Sequence, residues 1–445
     1  MQGGTKISGI EPGSVDGPPD APSHKPPKSR KRRLLLGCAL PLAVVIALLA
    51  LGSHLLAKRL ERVGRPAAQG PQPAWVPAGK RFVPWASYPI VYDGPGRLDA
   101  YEPYSCREGA GVADPALAIS FSGKAVRCRP GLVSQLVPSP RQLLVHLPAG
   151  YDQMKEPLPL VISLHGFGQR PAHVFAAFVN YLDAAEASGK MPKAVTAFPD
   201  FSLGGDGLDN PASRWDENSG SWGVNSSIGR YQDYFWQDVL PFLTAHYRLS
   251  DNPAKTVVLG GSMGGTMALN IMLDEPRRFP NVGAFYPALD LRYSCNGDRL
   301  APYRPDCYKP LVDNVPDRRM TTMPGLKGRV FVERFVLYPI FDAGALGGPR
   351  WNDGLAMWQR IRRRNPLDRL RDEKPNLAGV HFWYVVGDRD DFNIYSEVPE
   401  FDKEATKLGM IVEPADHVRP GKHDLDFFRE HVDEALAWVA QRLKN

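Results

Sequence analysis

Ser262 stands among glycines in Gly260-Gly261-Ser262-Met263-Gly264-Gly265, which contains the pattern G-x-S-x-G. A serine hydroxyl is a weak nucleophile until a base takes its proton. Two later stretches supply what it needs. Gly387-Asp388-Arg389-Asp390-Asp391-Phe392 carries three carboxylates, and Gly421-Lys422-His423-Asp424 carries an imidazole. In such a set the ring accepts the serine proton, and the acid fixes the ring's tautomer and stabilises its cation. Asp390 leads among the acids, followed by Asp391 and then Asp388. Attack on a carbonyl also needs two backbone N–H donors aimed at the oxyanion. Met263, directly after the serine, offers one. Phe167, in His165-Gly166-Phe167-Gly168, offers the other, with glycines that permit close approach.

These residues work only if elements place them together. A serine on a sharp turn needs a strand running in and a helix running out. Thr256–Leu259 is apolar and Gly264–Leu273 has helical character up to Pro276. Around them, Gln142–Leu147, Leu158–Leu164, Lys193–Phe198, Val282–Tyr286 and Val380–Val386 read as strands, several of them short apolar runs. Tyr231–Tyr247 reads as an amphipathic helix with a kink at Pro241, and a last helix runs from about Asp424 to Leu443. Strands alternating with helices predict an α/β fold, a mostly parallel sheet with helices on both faces. In the α/β-hydrolase fold the reactive residues follow the order Ser, Asp/Glu, His, as they do here. His423 precedes the last helix on a loop that can reach Ser262. His417 reads as a strand-edge residue, His431 falls inside the helix, and His165 belongs to the oxyanion loop.

His165–Gly168, Tyr231–Tyr247, Gly260–Leu269, Gly387–Phe392 and Gly421–Phe428 together resemble the esterase D-like "putative esterase" family, over roughly 141–445. That family includes S-formylglutathione hydrolases, feruloyl and acetyl-xylan esterases, siderophore esterases and mycolyltransferases. The resemblance implies the α/β-hydrolase fold and carboxylic-ester chemistry through an acyl-enzyme. It also implies Ser262, an acid in the Gly387 loop (Asp390 by spacing) and His423. Two other readings stand beside it: acyl transfer to an envelope sugar or alcohol, and a non-catalytic membrane-tethered binding module.

No metal and no cofactor is expected. His423, Asp424 and Asp426 lie close in sequence, but the two acids more simply cap the last helix. Trp215, Trp222 and Asn225 lie in a Gly/Ser/Asn-rich loop where they could line a groove or simply pack. Asn225-Ser226-Ser227 is also a formal glycosylation sequon. The Arg-rich stretch Arg360–Arg371 reads as a solvated face rather than an anion site.

The appendages bear on location. Net charge is +6, but residues 1–33 hold seven Lys/Arg against three acids, or +4, leaving +2 for the rest. A near-neutral body does not suggest a nucleic-acid partner. Residues 1–33 read as a disordered cytoplasmic tail. Leu34–Gly52 contains no charged side chain, and the apolar stretch extends to Ala57. Helical residues rise about 1.5 Å each, so 34–57 suffices to span a bilayer. More Lys/Arg precede it than follow it, which predicts a single-pass anchor with the body periplasmic or extracellular. A cleaved signal peptide ending near Ala50-Leu51-Gly52 would also export the body. Leu36-Gly37-Cys38 resembles a lipobox only faintly, because its Cys begins the apolar run rather than ending it. Residues 58–80 form a Pro/Gly/Ala linker, 81–140 a small β-rich extension, and 141–445 the catalytic domain. An insertion at 291–355 is expected over the sheet's C-terminal edge. Four cysteines in an exported region suggest disulfides, with Cys106–Cys128 and Cys295–Cys307 favoured.

Overall fold

The structure, a computed structural model, describes residues 88–102, 106–107, 112–113, 119–123, 125–137, 141–202, 220–226, 229–291, 362–390 and 394–444. They fall in one compact unit, Gly64–Asn445. Among them no helix is long and apolar enough to cross a membrane. The expected tail 1–33, membrane segment 34–57 and linker 58–80 lie outside the described residues. So do almost all of the 291–355 insertion, Trp215 and Asp391.

Ten strands form one sheet. In chain order they are β1 Arg97–Glu102, β2 Val126–Pro130, β3 Leu143–Leu147, β4 Leu160–Leu164 and β5 Val195–Pro199. They continue as β6 Thr256–Gly261, β7 Asn281–Phe285, β8 His381–Gly387, β9 Ile411–Glu413 and β10 Val418–Arg419. Across the sheet they run β9-β8-β7-β6-β4-β5-β3-β1-β2, with β10 beside the end of β8. Only β3 is antiparallel to its neighbours, β1 and β5. Every other pair is parallel. Every residue of β3, β4 and β5 is buried, as expected of inner strands covered on both faces.

The period of two along each strand divides the core. From β4, Leu160, Ile162 and Leu164 join one cluster and Val161 the other. From β8, Phe382, Tyr384 and Val386 face the first, Trp383 and Val385 the second. Helices α1 Pro171–Ala187 and α6 Leu425–Lys444 pack into the second cluster. The first takes α2 (231–246), α3 Met263–Asp274 and α5 Val398–Lys407. It also takes Leu370 of α4 Pro366–Glu373. Helix α2 runs through Tyr231–Tyr234, a π-helical turn Phe235–Val239, and Leu240–His246. The π turn ends just before Pro241, which has no N–H to give and would crowd the carbonyl four residues back. The expected kink at Pro241 is thus accommodated by a widened turn.

The stretch 81–140, expected as a small β-rich extension packed on the main domain, contributes β1 and β2 to the same sheet, with β2 at the edge. Ala100 stands opposite Leu144 in the β1–β3 pairing. Without β1, the outer edge of β3 would leave buried backbone groups unpaired. Cys128 on β2 is disulfide-bonded. The expected partner, Cys106, has a side chain outside the described residues, and so does Cys295–Cys307.

The arginine-rich stretch differs in part from expectation. Arg364 and Arg369 both reach Asp274, at 3.2 and 3.0 Å, and clamp α4 to the end of α3. Arg371 pairs with Glu400 at 2.8 Å. Arg369 is buried while Arg362 and Arg363 are exposed, so the described part of the stretch is solvated at its start and an internal tie from Arg364 onward.

His417 ties β10 to α5 through an Nε2–Asp402 contact of 2.9 Å. Burial works to lower its pKa, but the Asp402 hydrogen bond, the Pro414 carbonyl and the Asp402 charge outweigh it and raise it. A raised histidine stabilises the fold fully below its unfolded pKa, and that contribution is lost as pH rises through the folded one. His417→Gln should therefore lower the melting temperature by roughly 1–3 °C at pH 5.5 and by less at pH 9. Thermal melts at the two pH values measure this; an equal loss at both would refute the charge-linked account.

Candidate active site

Ser262 joins β6 to α3 with φ 54° and ψ −121°. Such a conformation costs a non-glycine residue about 1–3 kcal/mol and survives only where the surroundings impose it. Here the Ser262 N–H donates to Phe285 O at 2.9 Å, and its carbonyl accepts from Thr266 N at 3.1 Å. Both neighbours belong to fixed elements, β7's end and α3's first turn. The glycines around the serine are steric requirements. A Cβ on Gly264 would lie 2.2 Å from the Leu164 carbonyl oxygen, and one on Gly260 2.2 Å from the backbone of Gly264. The serine therefore sits at the N-terminus of α3, whose partial positive charge favours a developing anion.

The loop after β4 is held by its own histidine. His165 is buried; its Nε2 accepts from Phe201 N at 2.8 Å, so Nδ1 carries the proton and donates to Gly166 O at 2.9 Å. Gln169 Oε1 accepts the Gly166 N–H at 2.9 Å and closes the turn. Asp200, also buried, lies 3.5 Å from His165 Nε2. Burial alone would raise its carboxyl, but the neighbouring His165 side chain and the charges of Arg170 and Arg141 hold it well below the carboxylate range. Phe167 is thus carried on a loop fixed at both ends. His165 itself is a strut.

The acid and the histidine come from two laced loops. Asp388 N–H donates to Arg419 O at 2.7 Å, and Arg389 N–H to Gly421 O at 3.0 Å. Asp388 Oδ1 in turn accepts from Gly421 N at 3.0 Å. A turn with Asp390 N–H donating to Gly387 O at 3.2 Å then folds Asp390 inward. Its side chain is 0% exposed, and its Oδ2 lies 2.7 Å from His423 Nδ1. Of the three candidate acids, then, Asp390 contacts the histidine, Asp388 braces the histidine's loop, and Asp391 lies outside the described residues. Asp424 caps α6 through Phe427 N at 3.0 Å.

Ser262 and His423 line one cavity of about 300 Å³, with Gly166, Phe167, Trp222 and Tyr286. The Tyr286 ring lies against the His423 imidazole at 4.2 Å between centroids. Burial, then the charges of Asp390 and Asp424, push the Tyr286 phenol up, so it stays neutral. Met263 contributes the first residue of α3, its side chain buried. His417 faces Asp402 and His431 faces Glu434, each away from the cavity wall. Asn225 accepts the N–H groups of Gln232 and Asp233 and so caps α2. Among the described residues no cluster of His, Cys, Asp or Glu could hold a metal ion.

Sequence reasoning missed Tyr286, Asp290 and Glu397 in this cavity. Tyr286 had a signal, since it directly follows a parallel strand at the sheet edge where ligands gather. Glu397, a single acid before α5, had none.

A mixed sheet covered by helices on both faces, with a strand–serine–helix turn at its centre, matches the α/β-hydrolase fold. The chain belongs to the "putative esterase" family, whose pattern matches residues 134–439. Similar solved structures include a ferulic acid esterase (17% identity, TM-score 0.48, 70% of this chain and 96% of that one). Another is an S-formylglutathione hydrolase from Agrobacterium tumefaciens (20% identity, TM-score 0.46, 70% and 92%). A third is a fluorophosphonate-binding serine hydrolase of Staphylococcus aureus (15% identity, TM-score 0.43, 69% and 95%). No curated protein sequence matches the chain significantly.

The closeness of α3 to β4 gives a test of the turn. Gly264→Ala should destabilise by about 3 kcal/mol or more, since overpacking against backbone has no side chain to give way. Gly189→Ala, where nothing lies within 4 Å but φ is +69°, should cost less. Urea unfolding of both variants compares them, and a Gly264→Ala cost no larger than that of Gly189→Ala would contradict the packing argument.

Proposed function

We propose that this protein is a serine esterase that cleaves carboxylic esters through an acyl-enzyme. The observation that carries the reading is the Asp390–His423 hydrogen bond of 2.7 Å beside a cavity that Ser262 also lines, with Ser262 on a strained turn. His423 Nε2 takes the Ser262 hydroxyl proton as Oγ bonds to the ester carbonyl carbon. Asp390, on Nδ1, fixes the tautomer that leaves Nε2 free to accept and stabilises the imidazolium. The oxyanion receives the N–H groups of Met263 and Phe167. His423 then returns the proton to the leaving alkoxide, and an alcohol departs. In the second half water gives a proton to His423 and its oxygen to the acyl carbon, which releases the acid and restores Ser262.

The location is part of the proposal. An uncharged run through 34–57, preceded by the Lys25–Arg33 cluster, supports a single membrane anchor with a cytoplasmic N-terminus and the esterase on the other side.

A fluorophosphonate probe should label the full chain and fail to label Ser262→Ala. Hydrolysis of a p-nitrophenyl ester should fall by at least about 10³-fold in Ser262→Ala and His423→Ala, and by about 10⁴-fold in Asp390→Asn. Asp388→Asn, which keeps an acceptor for Gly421 N–H, should change kcat by less than about tenfold. A folded wild-type protein that neither labels nor hydrolyses would refute the esterase reading. Equal losses for Asp388→Asn and Asp390→Asn would refute the assignment of the acid.

A further inference from the structure

Behind Ser262 the cavity wall holds a carboxyl that the proposed hydrolysis does not use. Glu397 stands just before α5 and is 5% exposed. Its Oε2 accepts two backbone N–H groups, Leu289 at 2.8 Å and Asp290 at 2.9 Å. These fix the side chain and the segment that follows β7. Oε1 makes no hydrogen bond among the described residues, yet the side chain lines the cavity with Ser262 and His423.

The charge around it is one-sided. Asp290, 2% exposed, lines the same cavity, and the buried Asp390 acts on Glu397 through its charge. Asp424 lines the cavity as well, and among the described residues no Lys or Arg does. Burial first, then the charges of Asp290 and Asp390, push the Glu397 carboxyl well above the usual range, although the two N–H groups oppose this. Neighbouring buried acids cannot all ionise, and one of them keeps a proton. With Oε2 occupied as an acceptor, the proton belongs on Oε1. Glu397 lines the cavity, so a proton on Oε1 can be given to an acceptor that arrives with the ligand.

We propose that Glu397 is a specificity-determining residue: a neutral carboxylic acid whose Oε1–H donates to an uncharged oxygen of the substrate. The favoured esters would carry a hydroxyl, ether or second carbonyl oxygen besides the ester group. This rests on the esterase reading above. An alkyl substrate leaves Oε1–H unpaired, and a site built to hydrogen-bond discriminates against analogues that lack the partner. A substrate carboxylate is disfavoured by the charges of Asp290 and Asp390.

The test measures kcat/KM on matched esters. One set is p-nitrophenyl butyrate against its 3-hydroxy and 4-amino analogues, with p-nitrophenyl pentanoate against 3-methoxypropionate. The other is butyl butyrate against glycerol monobutyrate. At least one oxygen-bearing ester should exceed its hydrocarbon match by about five- to tenfold. Glu397→Gln should keep that ratio within about threefold, because an amide can accept from both backbone groups and still donate to the ligand. Glu397→Leu should bring the ratio to about one.

Leucine leaves two backbone N–H groups unpaired, so its folding is checked by thermal melting. If it does not fold, infrared difference spectra decide. In Ser262→Ala, adding the favoured ester should shift a protonated-carboxyl band that is missing from Ser262→Ala/Glu397→Gln. A hydrocarbon match should not shift it.

Ratios within twofold of one in the wild type would overturn the inference while leaving the esterase intact. Loss of the ratio in Glu397→Gln, or an unchanged ratio in folded Glu397→Leu, would overturn it too. So would preference for the ammonium ester that Glu397→Gln abolishes, since the group would then act as an anion. No hydrolysis of any ester would remove the esterase reading and this inference with it.

Discussion

The backbone of Ser262 is the constraint on which the site depends. Its φ of 54° is unfavourable for a residue with a side chain, and a glycine there would relieve the strain but carry no hydroxyl. The strain is therefore imposed from outside. Parallel pairing of β6 with β4 and β7 fixes where the chain leaves the sheet, and Phe285 O captures the serine's N–H. Helix α3 must then begin at once and press against the Leu164 carbonyl, which only a glycine at 264 permits. The same closeness brings the N-terminus of α3 and the loop carrying Phe167 to one edge of the sheet. Turn, helix end and loop form one mechanical unit.

The other half is governed by desolvation. Asp390 is fully buried, and an isolated buried carboxylate would be driven to protonate. Its Oδ2 is paired with His423 Nδ1 at 2.7 Å, and the backbone lacing between 387–390 and 419–421 holds the two loops together. Asp388 accepts the Gly421 N–H and so contributes to position rather than to charge at the ring. Two acids of one loop, separated by Arg389, thereby have different contacts, because one is buried against His423 and the other accepts from the backbone of the neighbouring loop.

How much of this the sequence carried follows from the range of each determinant. The strand–serine–helix turn is local: glycine spacing, an apolar run and a helical pattern fall within twenty residues, and Ser262, β6 and α3 were legible. The places of Asp390 and His423 were legible too, since one follows β8 and the other precedes α6, elements that the hydrophobic pattern locates. The choice among Asp388, Asp390 and Asp391 rested on spacing, because what separates Asp388 from Asp390 is the pairing of 387–390 with 419–421, a contact across thirty residues. That β1 and β2 continue the main sheet was not legible in the β-rich extension. Short strands in a turn-rich stretch show their partner only once β3's open edge is known. The arginines of Arg360–Arg371 read as a solvated face because charge runs usually are, which holds for Arg362 and Arg363; the partner of the buried Arg369, Asp274, lies about ninety residues away.

Glu397 and Asp290 show how this site holds several acids at once. In the proposed hydrolysis the ring must be neutral to accept the serine proton and cationic immediately afterwards. Asp390 would serve both states, setting the tautomer and stabilising the cation through its hydrogen bond with Nδ1. Glu397 and Asp290 face the cavity instead. Neighbouring buried carboxylates repel, and a proton on Glu397 removes one negative charge from that wall while keeping its two anchoring hydrogen bonds. In the proposed site one acid would hold the ring, and the other, kept uncharged, would meet the substrate.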